Sequence, residues 1–216
     1  MPVVSTAPSS ELSAEGWRVA ARMLARRDPV LRRLVKLYDG ERLEPRGDAF
    51  GTLARAIVGQ QISVKAAASV WARLEQRLGE VTPENVARAR LDRLRRCGLS
   101  QQKARYCRSL AAHFLERRID PLRWHDEDDE AIIAELVRVK GIGRWTAEMF
   151  LIFYLLRPDV LPLGDIGLKR ALMLHYAEGR ALSHTDMIAI GEGWRPWRSV
   201  ATWYLWRSLD PLPVLY

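Results

Sequence analysis

The chain has 216 residues, 48% of them apolar, with 34 Lys plus Arg against 26 Asp plus Glu, a formal net charge of +8, and 8 Trp. At roughly 150 residues per domain this length holds one to two domains. The apolar share can bury a core, which excludes disordered, collagen-like and fibrous classes. Two cysteines, Cys97 and Cys107, are too few for a disulfide framework or a four-thiolate metal site and suit a reduced, cytosolic protein.

The first 16 residues carry no Lys or Arg and no apolar stretch of signal-peptide length, so export is not expected. The longest apolar run, residues 149–156, is far shorter than the roughly 20 residues of a membrane span. The expectation is a soluble cytoplasmic protein with no membrane contact. Residues 1–120 carry 23 basic and 13 acidic side chains, a net of +10, while residues 121–216 carry 11 and 13. Of the 34 basic residues 29 are Arg, whose guanidinium fork suits phosphate; a GC-rich genome would leave the same mark.

In chain order, Asp28-Pro29, Thr82-Pro83 and Asp120-Pro121 place an N-cap before a proline suited to the first helical position, although the third serves equally well as a turn. Val64, Ala67, Ala68, Trp71, Leu74 and Leu78 make one helical stripe, and Cys107, Leu110, Ala111, Phe114 and Leu115 another. The acidic patch at residues 125–130 reads as a solvated loop and helix start. Ser183 and Asp186 have capping-box form. Strand-like alternation is almost absent. The expectation is an all-α protein of ten to twelve helices with little or no sheet.

The chemistry concentrates in two places. A helix containing Ile132, Ile133, Leu136 and Val137 is joined through Gly141-Ile142-Gly143 to a helix beginning near Thr146. Glycines there permit positive φ and leave N–H groups uncovered at a helix N-terminus, where the dipole and unpaired donors favour a phosphate. A tight αα-turn would use the same glycines for geometry alone. Nineteen residues after Thr146, Asp165 follows Pro162 and Gly164 and precedes Ile166, Leu168 and Leu172, the place of a helix N-cap. An ordinary cap and a carboxylate fixed in direction for chemistry are compatible readings.

The run Gly141-Ile142-Gly143-Arg144-Trp145-Thr146-Ala147, the aspartate beyond it, Val58-Gly59-Gln60-Gln61-Ile62-Ser63-Val64 and Trp194-Arg195-Pro196-Trp197-Arg198-Ser199 together resemble the 3-methyladenine DNA glycosylase II family. That family lies within the helix-hairpin-helix superfamily of base-excision glycosylases. The resemblance covers about residues 45–210; one departure is Lys140, where many members have proline. It implies two helical lobes with a cleft for a flipped base. Residues 48–160 would form the central lobe, with the helix-hairpin-helix at about 130–156, and residues 1–47 with 161–216 the second. The stretch before Phe50 is too short for the sheet domain some members carry.

The resemblance also implies roles. Bifunctional relatives place a nucleophilic lysine where Trp145 stands, so a monofunctional enzyme leaving an abasic site is expected. No cysteine follows Cys107, so the iron-sulfur cluster of other relatives cannot form there. Asp165 would stabilise the oxocarbenium-like sugar and orient or deprotonate water. Trp145 and Trp206 match pocket indoles for a cationic base, with Trp203 and Tyr204 nearby; packing of the closing helix is the other use of all four. Gln61 aligns with the intercalating wedge, beside Gln60, and Leu99 is a second wedge candidate. Lys140, Arg144, Lys169 and Arg198 are candidate phosphate contacts, and the hairpin spans Lys140 to Thr146. Members often hold a monovalent cation on hairpin carbonyls near Val139 and Gly141; no other cofactor is implied, and His113, His125, His175 and His184 lack metal-ligand spacing. The expected partner is double-stranded DNA carrying alkylated bases, engaged by a monomer. The alternatives are the same fold acting on hypoxanthine, 1-methyladenine, uracil or oxidised guanine, and a non-catalytic DNA-binding protein using the hairpin alone.

Overall fold

A computed structural model describes residues 12–44 and 47–209. In chain order they form α1 (Ala14–Arg27), α2 (Pro29–Leu37), α3 (Ala49–Gly59), α4 (Val64–Leu78), α5 (Pro83–Arg88), α6 (Leu91–Arg95), α7 (Gln101–Leu115), α8 (Asp129–Leu136), α9 (Arg144–Phe153), α10 (Ile166–Tyr176), α11 (His184–Glu192) and α12 (Arg198–Arg207). No strand occurs among the described residues, and none of their helices is long and apolar enough to cross a membrane.

Local chemistry explains the helix ends. Asp28 caps α2 by accepting the Leu31 N–H at 3.0 Å, with Pro29 in the first position. Thr82 caps α5 in the same way, and Ser183 with Asp186 closes a full capping box on α11. Asp120 instead accepts the Leu122 N–H, so Asp120-Pro121 is a turn. The acidic patch ends in the Asp128 cap and the first turn of α8, where carboxylates complement the helix dipole.

The chain divides into two compact units. Residues 47–150 form one, in which α7 packs against α3, α5 and α6; Leu53, Ile57, Leu94, Leu110 and Leu136 are fully buried there. Of the stripe on α4 only Trp71 and Leu74 are buried; Ala67 and Leu78 are half-buried, Val64 is 75% exposed and Ala68 also faces solvent.

Residues 12–44 and 151–209 form the other unit, where α12 packs against α1, α2 and α10. Its core joins Trp17, Leu24 and Leu31 to Leu172, Trp194 and Leu205. Residues 151–160 therefore belong to this unit, not to the central lobe expected over 48–160. The Leu156 carbonyl accepts the Leu12 N–H at 3.0 Å, the Val160 N–H donates to Ser199 Oγ, and Leu156 packs on this unit's core.

Candidate functional site

The helix-hairpin-helix lies in the unit of residues 47–150. The turn between α8 and α9 is closed by the Ile142 N–H donating to the Val139 carbonyl at 3.0 Å, with Val139 and Ile142 both buried. Gly141 has φ +93, and a Cβ there would stand 2.2 Å from Tyr106 Cδ2. Both conformation and space therefore demand glycine. Gly143 differs from the sequence expectation: its φ is not positive, and a Cβ would meet nothing within 4 Å. What Gly143 contributes is bareness. It precedes α9 and its carbonyl accepts the Ala147 N–H, but it has no side-chain oxygen to cover the first N–H groups, the end where the helix dipole attracts an anion.

Arg144 opens α9 but is committed within the protein. Its Nη1 donates to Glu130 Oε2 and its Nε to Glu148 Oε1, both at 2.9 Å. The hydrogen bonds to Glu130 raise the guanidinium's pKa further and, reciprocally, lower that of the Glu130 carboxyl. Arg144 thus braces the starts of α8 and α9 while its side chain stays 58% exposed, and a phosphate contact there would compete with these surface ion pairs. Ile142 and Thr146 are likewise buried and hold the hairpin together rather than offer surface. Lys140 is exposed beside the first glycine, and Trp145 is 42% exposed.

The segment expected to carry the wedge follows α3. Gln61 is exposed with φ +57, a conformation uncommon outside glycine. The Gln60 side chain is half-buried, its Nε2 donating to the Gly141 carbonyl at 2.7 Å, so in this conformation it ties the turn after α3 to the hairpin. Leu99 is 5% exposed; its assignment as a second wedge is corrected, because its side chain is spent in the core of this unit. A groove of about 430 Å³ runs among Gln60, Gln61, Lys103, Tyr106, Gly141 and Gly143. The Val139 and Gly141 carbonyls each accept one N–H. A carbonyl oxygen has two lone pairs, so these hard donors still fit a monovalent cation.

Asp165 belongs to the other unit. It is the N-cap of α10 and 7% exposed, and its Oδ1 accepts the Leu168 N–H at 2.6 Å and the Trp206 indole N–H at 2.8 Å. Trp206 in turn stacks on Phe153, with ring centroids 5.5 Å apart and planes 11° from parallel. Gly167 makes this approach possible, since a Cβ there would lie 3.1 Å from both Asp165 Oδ1 and Trp206 Cδ1. The result is a buried carboxylate aimed by two N–H donors beside a stacked aromatic pair of intermediate exposure.

Trp203 and Tyr204 are corrected from pocket to core. They are 7% and 2% exposed, and Trp203 makes edge contacts with both Trp17 and Tyr204. Arg198 is corrected too: its side chain is only 15% exposed and grips Asp159 through Nε at 2.7 Å and Nη2 at 3.0 Å. Lys169, one turn beyond Asp165, is half-buried. Among the described residues no group of three or more His, Cys, Asp or Glu could hold a metal ion.

The family model described as HhH-GPD superfamily base excision DNA repair protein matches residues 54–198. The chain belongs to that superfamily. This HhH-GPD protein is 30% identical over 169 residues to the putative DNA-3-methyladenine glycosylase YfjP of Bacillus subtilis, covering 74% of its own length and 59% of that relative's. Its fold matches the crystal structure of a DNA-3-methyladenine glycosidase from Bacillus halodurans, with a TM-score of 0.81, 34% identity and 88% of each chain covered. It also matches the 3-methyladenine DNA glycosylase of Schizosaccharomyces pombe in complex with abasic DNA, with a TM-score of 0.76, 30% identity, and 88% of this chain and 96% of that one covered.

Sequence reasoning missed Phe153 and Gly167 beside Asp165, and Tyr106 and Lys103 beside the hairpin. A signal existed for one of them: a glycine inside a helical pattern, as Gly167 is at the start of α10, marks a packing reason such as a close approach. The other three follow only from which helices meet.

Proposed function

We infer that this protein is a DNA glycosylase that extrudes alkylated purines, chiefly 3-methyladenine and 7-methylguanine, from duplex DNA and hydrolyses their N-glycosidic bond. The observation that carries the reading is the buried Asp165 carboxylate, whose Oδ1 is fixed by Leu168 and Trp206, in a chain whose family repairs DNA by base excision. The names of the relatives, DNA-3-methyladenine glycosylases, support the choice of base.

Alkylation at N3 or N7 makes the purine cationic, so the C1′–N bond breaks with its electron pair leaving on the base and positive charge developing on the sugar. A fixed carboxylate stabilises that charge and takes a proton from the water that adds to C1′. The Trp206–Phe153 stack offers an electron-rich face to a cationic base, an attraction of roughly 0.5–2 kcal/mol. The bare start of α9 after Gly143 suits a phosphodiester, with Lys140 alongside; a monovalent cation held by the Val139 and Gly141 carbonyls would add positive charge there.

Trp145, with no amine, stands where a Schiff-base lysine would be needed. The product is therefore an abasic site with the strand intact. The hairpin and the carboxylate both come from one chain, and the enzyme acts as a monomer.

The test is to incubate the protein with methylated duplex DNA, identify the released base by chromatography, and examine the strand before and after alkali. Released 3-methyladenine and 7-methylguanine with nicking only after alkali is the expected result. Release of neither base would overturn the substrate, and nicking without alkali would overturn the monofunctional reading.

A further inference from the structure

The turn after α3 is strained where it serves no packing purpose. Gln61 has φ +57, and its side chain is exposed, so burial does not explain the conformation. A non-glycine residue in the left-handed region persists only where its surroundings over-determine it. The surroundings here can be named. The Ile62 N–H reaches back to the Gly59 carbonyl at 3.3 Å. On the residue before Gln61, the Gln60 side chain donates to the Gly141 carbonyl at 2.7 Å, and the Gln60 main-chain carbonyl accepts from Lys103 Nζ at 2.6 Å.

Lys103 is the unusual member. It stands on α7, and its ammonium also donates to the Val58 carbonyl at 2.8 Å. It thus clasps two main-chain oxygens at the C-terminal end of α3, where unpaired carbonyls and the helix dipole favour a cation. A surface lysine would extend its head to water; this one is turned inward, and burial lowers its pKa from the ordinary lysine value. One turn along the same face of α7, Tyr106 lies against Gly141 so closely that a Cβ there would collide with its ring. Gln102 donates to the Tyr106 hydroxyl. One helix face therefore holds both the wedge turn and the hairpin, and Gln60 joins the two directly across the groove.

We propose that Lys103 is a positioning residue: through the Gln60 carbonyl, and through Gln60's amide bond to Gly141, it holds Gln61 in its left-handed conformation, aimed for insertion into a base stack, and couples that aim to the hairpin's grip. This rests on the glycosylase reading above. The physical gain is pre-organisation. A wedge ordered during folding does not incur the cost of ordering when it enters DNA. The Lys103 ammonium is spent on the Val58 and Gln60 carbonyls, so its effect is confined to substrates whose stack must be opened.

The test is Lys103→Met, which keeps the aliphatic stem and removes the ammonium. Single-turnover release of 7-methylguanine is measured from a fully paired duplex and from the same lesion in an unpaired loop. A fall of roughly tenfold is expected on the paired substrate, the size of one side chain's ordering cost, with the looped substrate unchanged within twofold and the melting temperature close to wild type. Equal loss on both substrates, or loss on neither, would overturn the proposal. Gln60→Met, which keeps the Lys103 contacts to main-chain oxygens but cuts the tie to Gly141, is expected to give the same split and stands in if Lys103→Met does not fold.

A second readout needs no bond cleavage: the fluorescence of 2-aminopurine at the extruded position rises when the protein opens a paired duplex, and Lys103→Met should weaken that rise. Wild-type protein that opens the duplex but releases no methylated base would overturn the glycosylase reading while leaving the positioning role standing on this signal. An unaltered rise in the variant would overturn the positioning role.

Discussion

Trp206 donates its indole N–H to Asp165 Oδ1 at 2.8 Å, the same oxygen that accepts the Leu168 N–H of the helix it caps. One carboxylate oxygen is thus fixed by a helix N-terminus and by an aromatic side chain 41 residues away in the sequence. An N-cap alone sets where the carboxylate sits; the indole adds a direction.

Asparagine caps helices about as well as aspartate and offers Oδ1 to the same two donors. Asp165→Asn should therefore fold normally and bind DNA containing an abasic-site analogue as wild type does. Its base release should fall by about 100-fold or more, the scale of losing electrostatic transition-state stabilisation. Single-turnover release with a parallel binding titration checks this; release at the wild-type rate would remove Asp165 from the mechanism.

Trp206→Phe separates the indole's two uses, because a benzene ring can still stack on Phe153 but cannot donate to Asp165. Hydrogen bonds to charged groups are worth about 1.5–3 kcal/mol, so a loss of roughly 10- to 150-fold in release rate is expected, with a melting temperature within a few degrees of wild type. Gly167→Ala should produce a similar loss by a different route, since its Cβ would push against Asp165 Oδ1 and the Trp206 ring.

The two hairpin glycines should respond oppositely to alanine. Gly141→Ala places a β-carbon at positive φ and against the Tyr106 ring, and should destabilise by about 2 kcal/mol or more, seen as a clear fall in thermal midpoint. Gly143→Ala has room and no conformational penalty, so the midpoint should hold while affinity for undamaged DNA falls, since a methyl group would stand at the bare helix start. A Gly143→Ala protein that binds DNA as tightly as wild type would remove the phosphate role.

Both thiols should be inert in the folded protein. Cys107 is buried and desolvation pushes its thiol up to about 12, with Cys97 also raised by burial. Since the thiolate is the reactive form, Ellman's reagent at pH 8 should detect neither thiol until denaturant is added. Rapid labelling of either in native protein would contradict this.

The sequence by itself determined the all-helical class, the helix ends marked by Asp28, Thr82 and Ser183, the hairpin at Gly141 to Gly143 and the position of Asp165 as a cap. These are set by 3.6-residue periodicity and by hydrogen bonds between residues three apart, which are local in the chain. It could not tell which indole goes to the core: Trp203 and Trp206 lie on one helix three residues apart, yet one meets Trp17 and the other Phe153 and Asp165. Nor could it tell a free guanidinium from a paired one: Asp159, which Arg198 grips, lies 39 residues away, and of Arg144's two partners only Glu148 is local, Glu130 being 14 residues away. Tertiary structure alone decided those, because burial and ion pairing depend on which surfaces meet. The same reason hid Lys103 and Tyr106, two ordinary helix residues until α3 and the hairpin are brought against them.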